Sequence, residues 1–149
     1  MADDAGEGTP ISLEDVLHHG QLPVEPGGTD LGDGVRLSPG HSHVENAQVT
    51  AFEHKIYRDD VHIGSVDYDA CHACRCVMLG EIGLVDNEQR RGIGTRVLAQ
   101  LRTELPSYRW FITPEKTSSR PFWARIRATY PGEYLLGARE HLGCWHLLF

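Results

Sequence analysis

The chain has 149 residues, 40% of them hydrophobic and 23% charged, with a formal net charge of −7, the proportions of one globular domain with enough apolar surface for a core. No run approaches the ~18 apolar residues of a membrane span, and the acidic start Met1-Ala2-Asp3-Asp4-Ala5-Gly6-Glu7 is unlike a secretory signal. The expectation is a cytoplasmic protein whose four cysteines stay reduced.

Charge divides the chain. Residues 1–47 carry a net of −8 and no Phe, Tyr or Trp, with Pro10, Pro23, Pro26 and Pro39 among many glycines. Such a segment buries little apolar area against its ordering entropy, so 1–47 reads as a largely flexible acidic arm. Within it, Ser12 to His19 suits one short helix, and Val35–Leu37 suits a short strand. Residues 48–149 hold a net of only +1. No basic stripe is available to track phosphates, so nucleic acid is not expected as a partner, and neither is a membrane.

From Val49 the pattern is of strands. Phe52, His54 and Ile56 alternate with Glu53, Lys55 and Tyr57 up to a turn at Arg58-Asp59-Asp60; Val61, Ile63 and Ser65 then alternate with His62, Gly64 and Val66. This is a hairpin signature. A second turn is expected at Asp69–Ala73, followed by a longer apolar strand from Cys74 to Val85. Val97, Leu98, Leu101 and Leu105 form the stripe of a helix that opens near Gly92–Thr95 and stops at Pro106. Tyr108–Thr113 reads as a strand. Ser118 or Ser119 then caps a helix with Pro121 in its first turn and a stripe of Phe122, Trp123, Ile126 and Tyr130. Strands over Tyr134–Leu136 and Leu142–Phe149 complete an α/β domain with a mixed central sheet of about six to seven strands and flanking helices, its N-terminal part abbreviated.

The segment Val85-Asp86-Asn87-Glu88-Gln89-Arg90-Arg91-Gly92-Ile93-Gly94-Thr95-Arg96 joins the end of the buried strand to the start of the first of these helices. Two glycines permit a tight turn with inward N–H groups, the helix dipole adds partial positive charge, and Arg90, Arg91 and Arg96 add full charge. A phosphate or pyrophosphate suits this turn. Val97 stands where a dinucleotide fingerprint needs its third glycine, and no lysine is near for a Walker A loop.

Gln89-x-x-Gly92-x-Gly94, set between strand and helix, resembles the Q/R-x-x-G-x-G/A turn of the GNAT (GCN5-related N-acetyltransferase) superfamily, and the likeness extends over about residues 49–149. The resemblance implies an acyl-CoA N-acyltransferase-like fold and acetyl-CoA as co-substrate. Arg90, Arg91, Gly92, Ile93, Gly94 and Thr95 would cradle the pyrophosphate beside Gln89 and Arg96, with Leu84, Val85 and Asp86 along the pantetheine. It implies direct attack of a primary amine on the acyl carbonyl. Glu81, alone in an apolar strand, is the candidate base if burial raises its pKa. The family often has a general-acid tyrosine near the start of the later helix, where Trp123 stands here, leaving Tyr130 and Tyr134 as substitutes. The front strand and helices of the family are reduced to the acidic arm, which favours a cationic acceptor, small molecule or peptide. The domain is expected as a monomer or homodimer. An alternative is a non-catalytic acyl-CoA-binding or partner-binding protein on the same fold.

Cys71-His72-Ala73-Cys74-Arg75-Cys76 has metal-type residues at tight spacing. A zinc tetrahedron commonly takes two separated pairs, and the second is missing unless His72 and Cys76 bend back or Cys144 comes near. In a hairpin, Cys74 and Cys76 should share one face and Cys71 the other, so the expectation is reduced cysteines and no metal. A weaker idea is a zinc-stabilised interaction module. His54 and His62, on facing strands, are placed to approach each other.

Overall fold

Val35 and Leu37 alternate with the half-exposed Arg36, and both are buried in the main core, which ties the supposed arm into the sheet. The computed structural model describes residues 23–137 and 143–147. In chain order the strands and α-helices are β1 (Thr29–Gly32), β2 (Val35–Leu37), β3 (His41–Val44), β4 (Val49–Arg58), β5 (Val61–Cys71), β6 (Cys76–Leu84), α1 (Ile93–Glu104), β7 (Arg109–Ile112), α2 (Arg120–Thr129) and β8 (Leu135–Leu136). They build one eight-stranded mixed sheet in the order β1-β2-β4-β5-β6-β7-β8, with β3 also against β4. Strand pairs up to β5–β6 are antiparallel, whereas β6–β7 and β7–β8 are parallel. Each parallel pair needs a crossover, and α1 and α2 supply the two.

The boundary expected at residues 47 and 48 is therefore corrected: the sheet begins at Thr29. The strand expected at Val35–Leu37 is β2, and both it and β3 are too short to stand without a partner. They are held by the ten residues of β4, which pairs with β2 through Ile56–Arg58 and with β3 through Thr50–Glu53. The helix expected at Ser12–His19 lies outside the described residues. The turn expected at Asp69–Ala73 falls at 72–75, because Ala70 and Cys71 keep the alternation of β5 going into buried positions. The last expected strand is also corrected. Residues 143–147 are not extended into a strand; Gly143 takes a φ of +68° and Cys144 and Leu147 turn inward. Among the described residues no helix is long and apolar enough to cross a membrane.

Both helices pack on one face of the sheet. Val97, Leu98 and Leu101 of α1 and Trp123 and Ile126 of α2 meet Ile56, Val66, Tyr68, Val77, Leu79, Trp110 and Ile112, and burial of each large side chain contributes about 1.5–3 kcal/mol. The opposite face carries a smaller core of Val49, Cys71, Cys76, Met78, Phe111, Cys144 and Leu147. His54 and His62 do not meet: His54 stands opposite Val66, and its ring nitrogens bond to the Ser38 carbonyl and the Tyr68 hydroxyl, both at 2.9 Å.

Candidate functional site

The pairing of β6 with β7 stops at Leu79 and Ile112. Thr113 prolongs it by one step, its N–H donating to the Leu79 carbonyl at 3.1 Å and its hydroxyl to the Gly80 carbonyl at 2.8 Å. Pro114 follows, without an N–H to continue the ladder. From there the chain turns away toward α2, while β6 runs on to Leu84. The two elements diverge, and between them lies a cleft of about 870 Å³. Gly80–Leu84 form one wall, Thr113–Lys116 and the first turn of α2 the other, with Trp123 among the lining side chains.

At the end of β6 a short 3₁₀ turn carries Glu88, whose buried carboxylate takes the Arg58 Nε–H at 3.0 and 3.1 Å. Gln89 closes the turn by donating to the Leu84 carbonyl at 2.9 Å. Arg90 and Gly92 both adopt left-handed backbone, at φ +64° and +77°, so the chain enters α1 abruptly. Helix α1 has no side-chain N-cap, and the first amide in it to bond along the helix is that of Arg96, to the Gly92 carbonyl. The N–H groups of Ile93, Gly94 and Thr95 are thus left for an anion at the positive end of the helix dipole, and Arg90, Lys116 and Arg125 line the same cleft.

Of the residues expected to hold coenzyme, Leu84, Gln89, Arg90, Gly92, Ile93, Gly94 and Thr95 line the cleft. Val85, Asp86, Arg91 and Arg96 do not. The Val85 N–H is committed to the Ile63 carbonyl at 2.9 Å, and Arg91 pairs with Glu88 at 3.8 Å. Arg96 lies on another side of α1, where it donates to the carbonyls of Leu31 and Gly32 at 2.9 and 3.3 Å and pairs with Asp33 at 3.3 Å. Asp33 also offers its carbonyl to Arg58 at 2.6 Å, so Glu88, Arg58, Asp33 and Arg96 form a chain of contacts behind the turn.

The expected catalytic groups are rearranged. Glu81 lines the cleft but is exposed, contrary to its expected burial, and pairs with Lys116 at 3.3 Å. The bulge at Gly80 turns it out of the apolar alternation. Tyr130 and Tyr134 do not line the cleft. Tyr134 is fully buried between Trp110 and Trp123, with ring centroids 5.8 and 5.5 Å away, and burial raises its hydroxyl pKa to about 12 against the pull of Arg102. Tyr130 caps the far end of α2 under Arg102, 4.2 Å from its ring. Trp123 lines the cleft where the resemblance implies an acid, and its indole has no acidic proton to give.

A row of polar groups emerges only once the strands are in register. His41, Glu53, Asp67 and Glu81 stand directly opposite one another across β3, β4, β5 and β6, which sets their side chains on one face. Burial, then the neighbouring charges of Glu81, Glu53 and Asp69, raise the Asp67 carboxyl above its usual range. A Cβ on Gly80 would sit 2.2 Å from the Asp67 Oδ1, so the glycine is what admits this carboxylate. Glu45 and Asp69 join Glu53 and Asp67 around a smaller depression of about 310 Å³.

No protein-family model matches the chain, and no curated protein matches it. Among solved structures it is similar to an acetyltransferase from Thermus thermophilus, at 15% identity and a TM-score of 0.43, covering 55% of each chain. It is likewise similar to a GNAT-family acetyltransferase from Streptococcus pneumoniae, at 13% identity and a TM-score of 0.43, covering 66% of this chain and 69% of that one. The chain thus spans about half the length of the first of these.

Proposed function

We propose that this domain binds acetyl-CoA in the cleft between β6 and β7 and transfers the acetyl group to a primary, cationic amine. The observation that carries the reading is the parting of two parallel strands onto an uncapped helix start. A pyrophosphate suits the free N–H groups of Ile93, Gly94 and Thr95 together with Arg90, while the open edge of Gly80–Leu84 suits a chain that carries amides. Gln89 holds the turn in shape and Trp123 supplies an apolar inner surface.

The protonated amine first loses one proton, which Glu81 receives directly or through water, and this frees the nitrogen lone pair. In the transfer the nitrogen then bonds to the acyl carbon, the carbon–sulfur bond breaks, and the second proton shed by the nitrogen passes to the coenzyme sulfur. The row of carboxylates beside Glu81 attracts the protonated amine and orients it before attack. Lys116 and Ser118 are the donors of the same cleft suited to the developing negative charge.

Calorimetry with acetyl-CoA, followed by thiol release in the presence of a panel of amines, tests the reading. Binding with thiol release on a polyamine or a basic peptide is the expected result, and no heat with acetyl-CoA overturns it. A second reading, a domain that binds acyl-CoA without turnover, is favoured by Trp123 in place of a tyrosine and by the position of Tyr130 and Tyr134 outside the cleft. Binding without thiol release on any amine selects that reading.

A further inference from the structure

We propose that Cys71, Cys74, Cys144 and His146 form a zinc site that fastens residues 143–147 to the hairpin of β5 and β6. One ligand atom from each lies within 4.8 Å of the other three. His146 Nδ1 is 3.4 Å from Cys71 Sγ, 3.5 Å from Cys74 Sγ and 4.0 Å from Cys144 Sγ. A tetrahedron with zinc–sulfur bonds of ~2.3 Å and zinc–nitrogen bonds of ~2.05 Å has sulfur–nitrogen edges of about 3.6 Å and sulfur–sulfur edges of about 3.8 Å. The nitrogen–sulfur distances are therefore close to those of a zinc centre, and the sulfurs lie within 4.8 Å of one another.

The local fold explains how they meet. Cys71 ends β5, and the chain then curls through 72–75, with Arg75 at a φ of +57°. This brings Cys74 back under Cys71, with its N–H donated to the Cys71 sulfur at 3.4 Å. The expectation that Cys71 would point away is thereby corrected, and Cys144 supplies the second pair with His146. The N–H groups of His146 and Leu147 are directed at the Cys144 sulfur. Hydrogen bonds from backbone to sulfur are the outer-shell support that thiolate ligands need. The segment is held from outside by Asn46, which donates to the His146 carbonyl at 3.1 Å, and from inside by Leu147 in the second core.

The donor set fixes the metal and the role. Three sulfurs and one imidazole suit zinc over magnesium or calcium, which take oxygen. Four protein ligands, two of them fully buried, leave no open position, so the site is structural. Cys76 is not among the four; its thiol is directed to the Cys74 carbonyl at 3.6 Å.

The test uses the full chain, purified under reducing conditions without chelator. Elemental analysis should find one zinc per chain, and the reduced, metal-stripped protein should take up one cobalt(II) with the intense visible absorption of a tetrahedral thiolate site. Cys74→Ser and His146→Ala should weaken zinc binding by more than about 100-fold, beyond the usual cost of losing an outer-shell partner, whereas Cys76→Ala should retain it. Should the ligand variants fail to fold, the cobalt titration of the unaltered chain decides. A fully reduced chain that takes up neither metal to one equivalent overturns the proposal. So does a disulfide between two of these cysteines in the purified protein, or equal loss of zinc from Cys76→Ala and Cys74→Ser.

Discussion

Gly92 and Gly94 serve the same turn for different reasons. Gly92 holds a φ of +77° with open space around the place of a Cβ, so its contribution is conformational. Gly94 has ordinary backbone, but a methyl there would come 3.0 Å from the ring of Phe122 on α2. Gly92→Ala should strain the turn and weaken acetyl-CoA binding at least tenfold. Gly94→Ala should weaken it comparably by moving Phe122 and also lower the melting temperature. Calorimetry beside thermal melts separates the two, and unchanged affinity in both would remove the coenzyme from this turn. For Glu81 the expected outcome of Glu81→Gln is a fall in turnover of about 100-fold, with the dissociation constant for acetyl-CoA little altered. Its pairing with Lys116 is exposed, so the loss of that pair alone should leave stability nearly unchanged. Thiol release followed across pH, beside a thermal melt, checks both statements, and normal rates throughout would reduce Glu81 to a strand residue.

At the scale of elements, what could be read from the sequence follows the length of the patterns. β4, β5 and β6 each run for nine or more residues, and both helices carry a full apolar stripe between clear start and stop signals, so they are legible one residue at a time. Val35–Leu37, expected as a short strand, is β2; β1 and β3 have four residues each, and their partners in the sheet make them strands where no local preference announces it. The same holds at the site. The glycine turn is contiguous and readable, whereas the row His41, Glu53, Asp67 and Glu81 depends on three registers and two bulges. Arg96 is close to the turn in sequence, and the helical rotation carries it to the β1–β2 hairpin instead. Deleting residues 1–40 should therefore unfold the domain, since Val35 and Leu37 go with them. Leu37→Ala should cost about 2–5 kcal/mol in denaturant unfolding. A truncated chain with an unaltered melting curve would show that the edge strands are dispensable.

For the molecule as a whole, the sheet has two working faces. Both helices cover one; the other bears the small core around Met78 and Phe111. Among the described residues the backbone of β7 pairs with β6 along Cys76–Leu79, and beyond that point the part of the sheet up to β6 and the part from β7 onward separate around the cleft. A ligand lying in that cleft bridges the two parts. Acetyl-CoA at about 100 times its dissociation constant should then stabilise the fold by about 2.7 kcal/mol. Hydrogen exchange should show protection gained over Gly80–Leu84 and over Ile93–Thr95. Protection confined to other segments would place the ligand elsewhere.

If the turn binds the coenzyme as proposed, the contacts among Glu88, Arg58, Asp33 and Arg96 would give the β1–β2 hairpin a share in that recognition, although none of these residues lines the cleft. Two arginines whose charge would suit a phosphate serve instead as guy-ropes, each anchored on Asp33 at the hairpin's tip and pulling on opposite sides of the turn. Contacts that hold the turn in one shape would leave less ordering entropy to lose when an anion binds there. On the proposed reading, affinity at the mouth of the cleft would be set partly at the outermost edge of the sheet, and a loosened hairpin would be felt there as a slower capture and a faster escape of coenzyme.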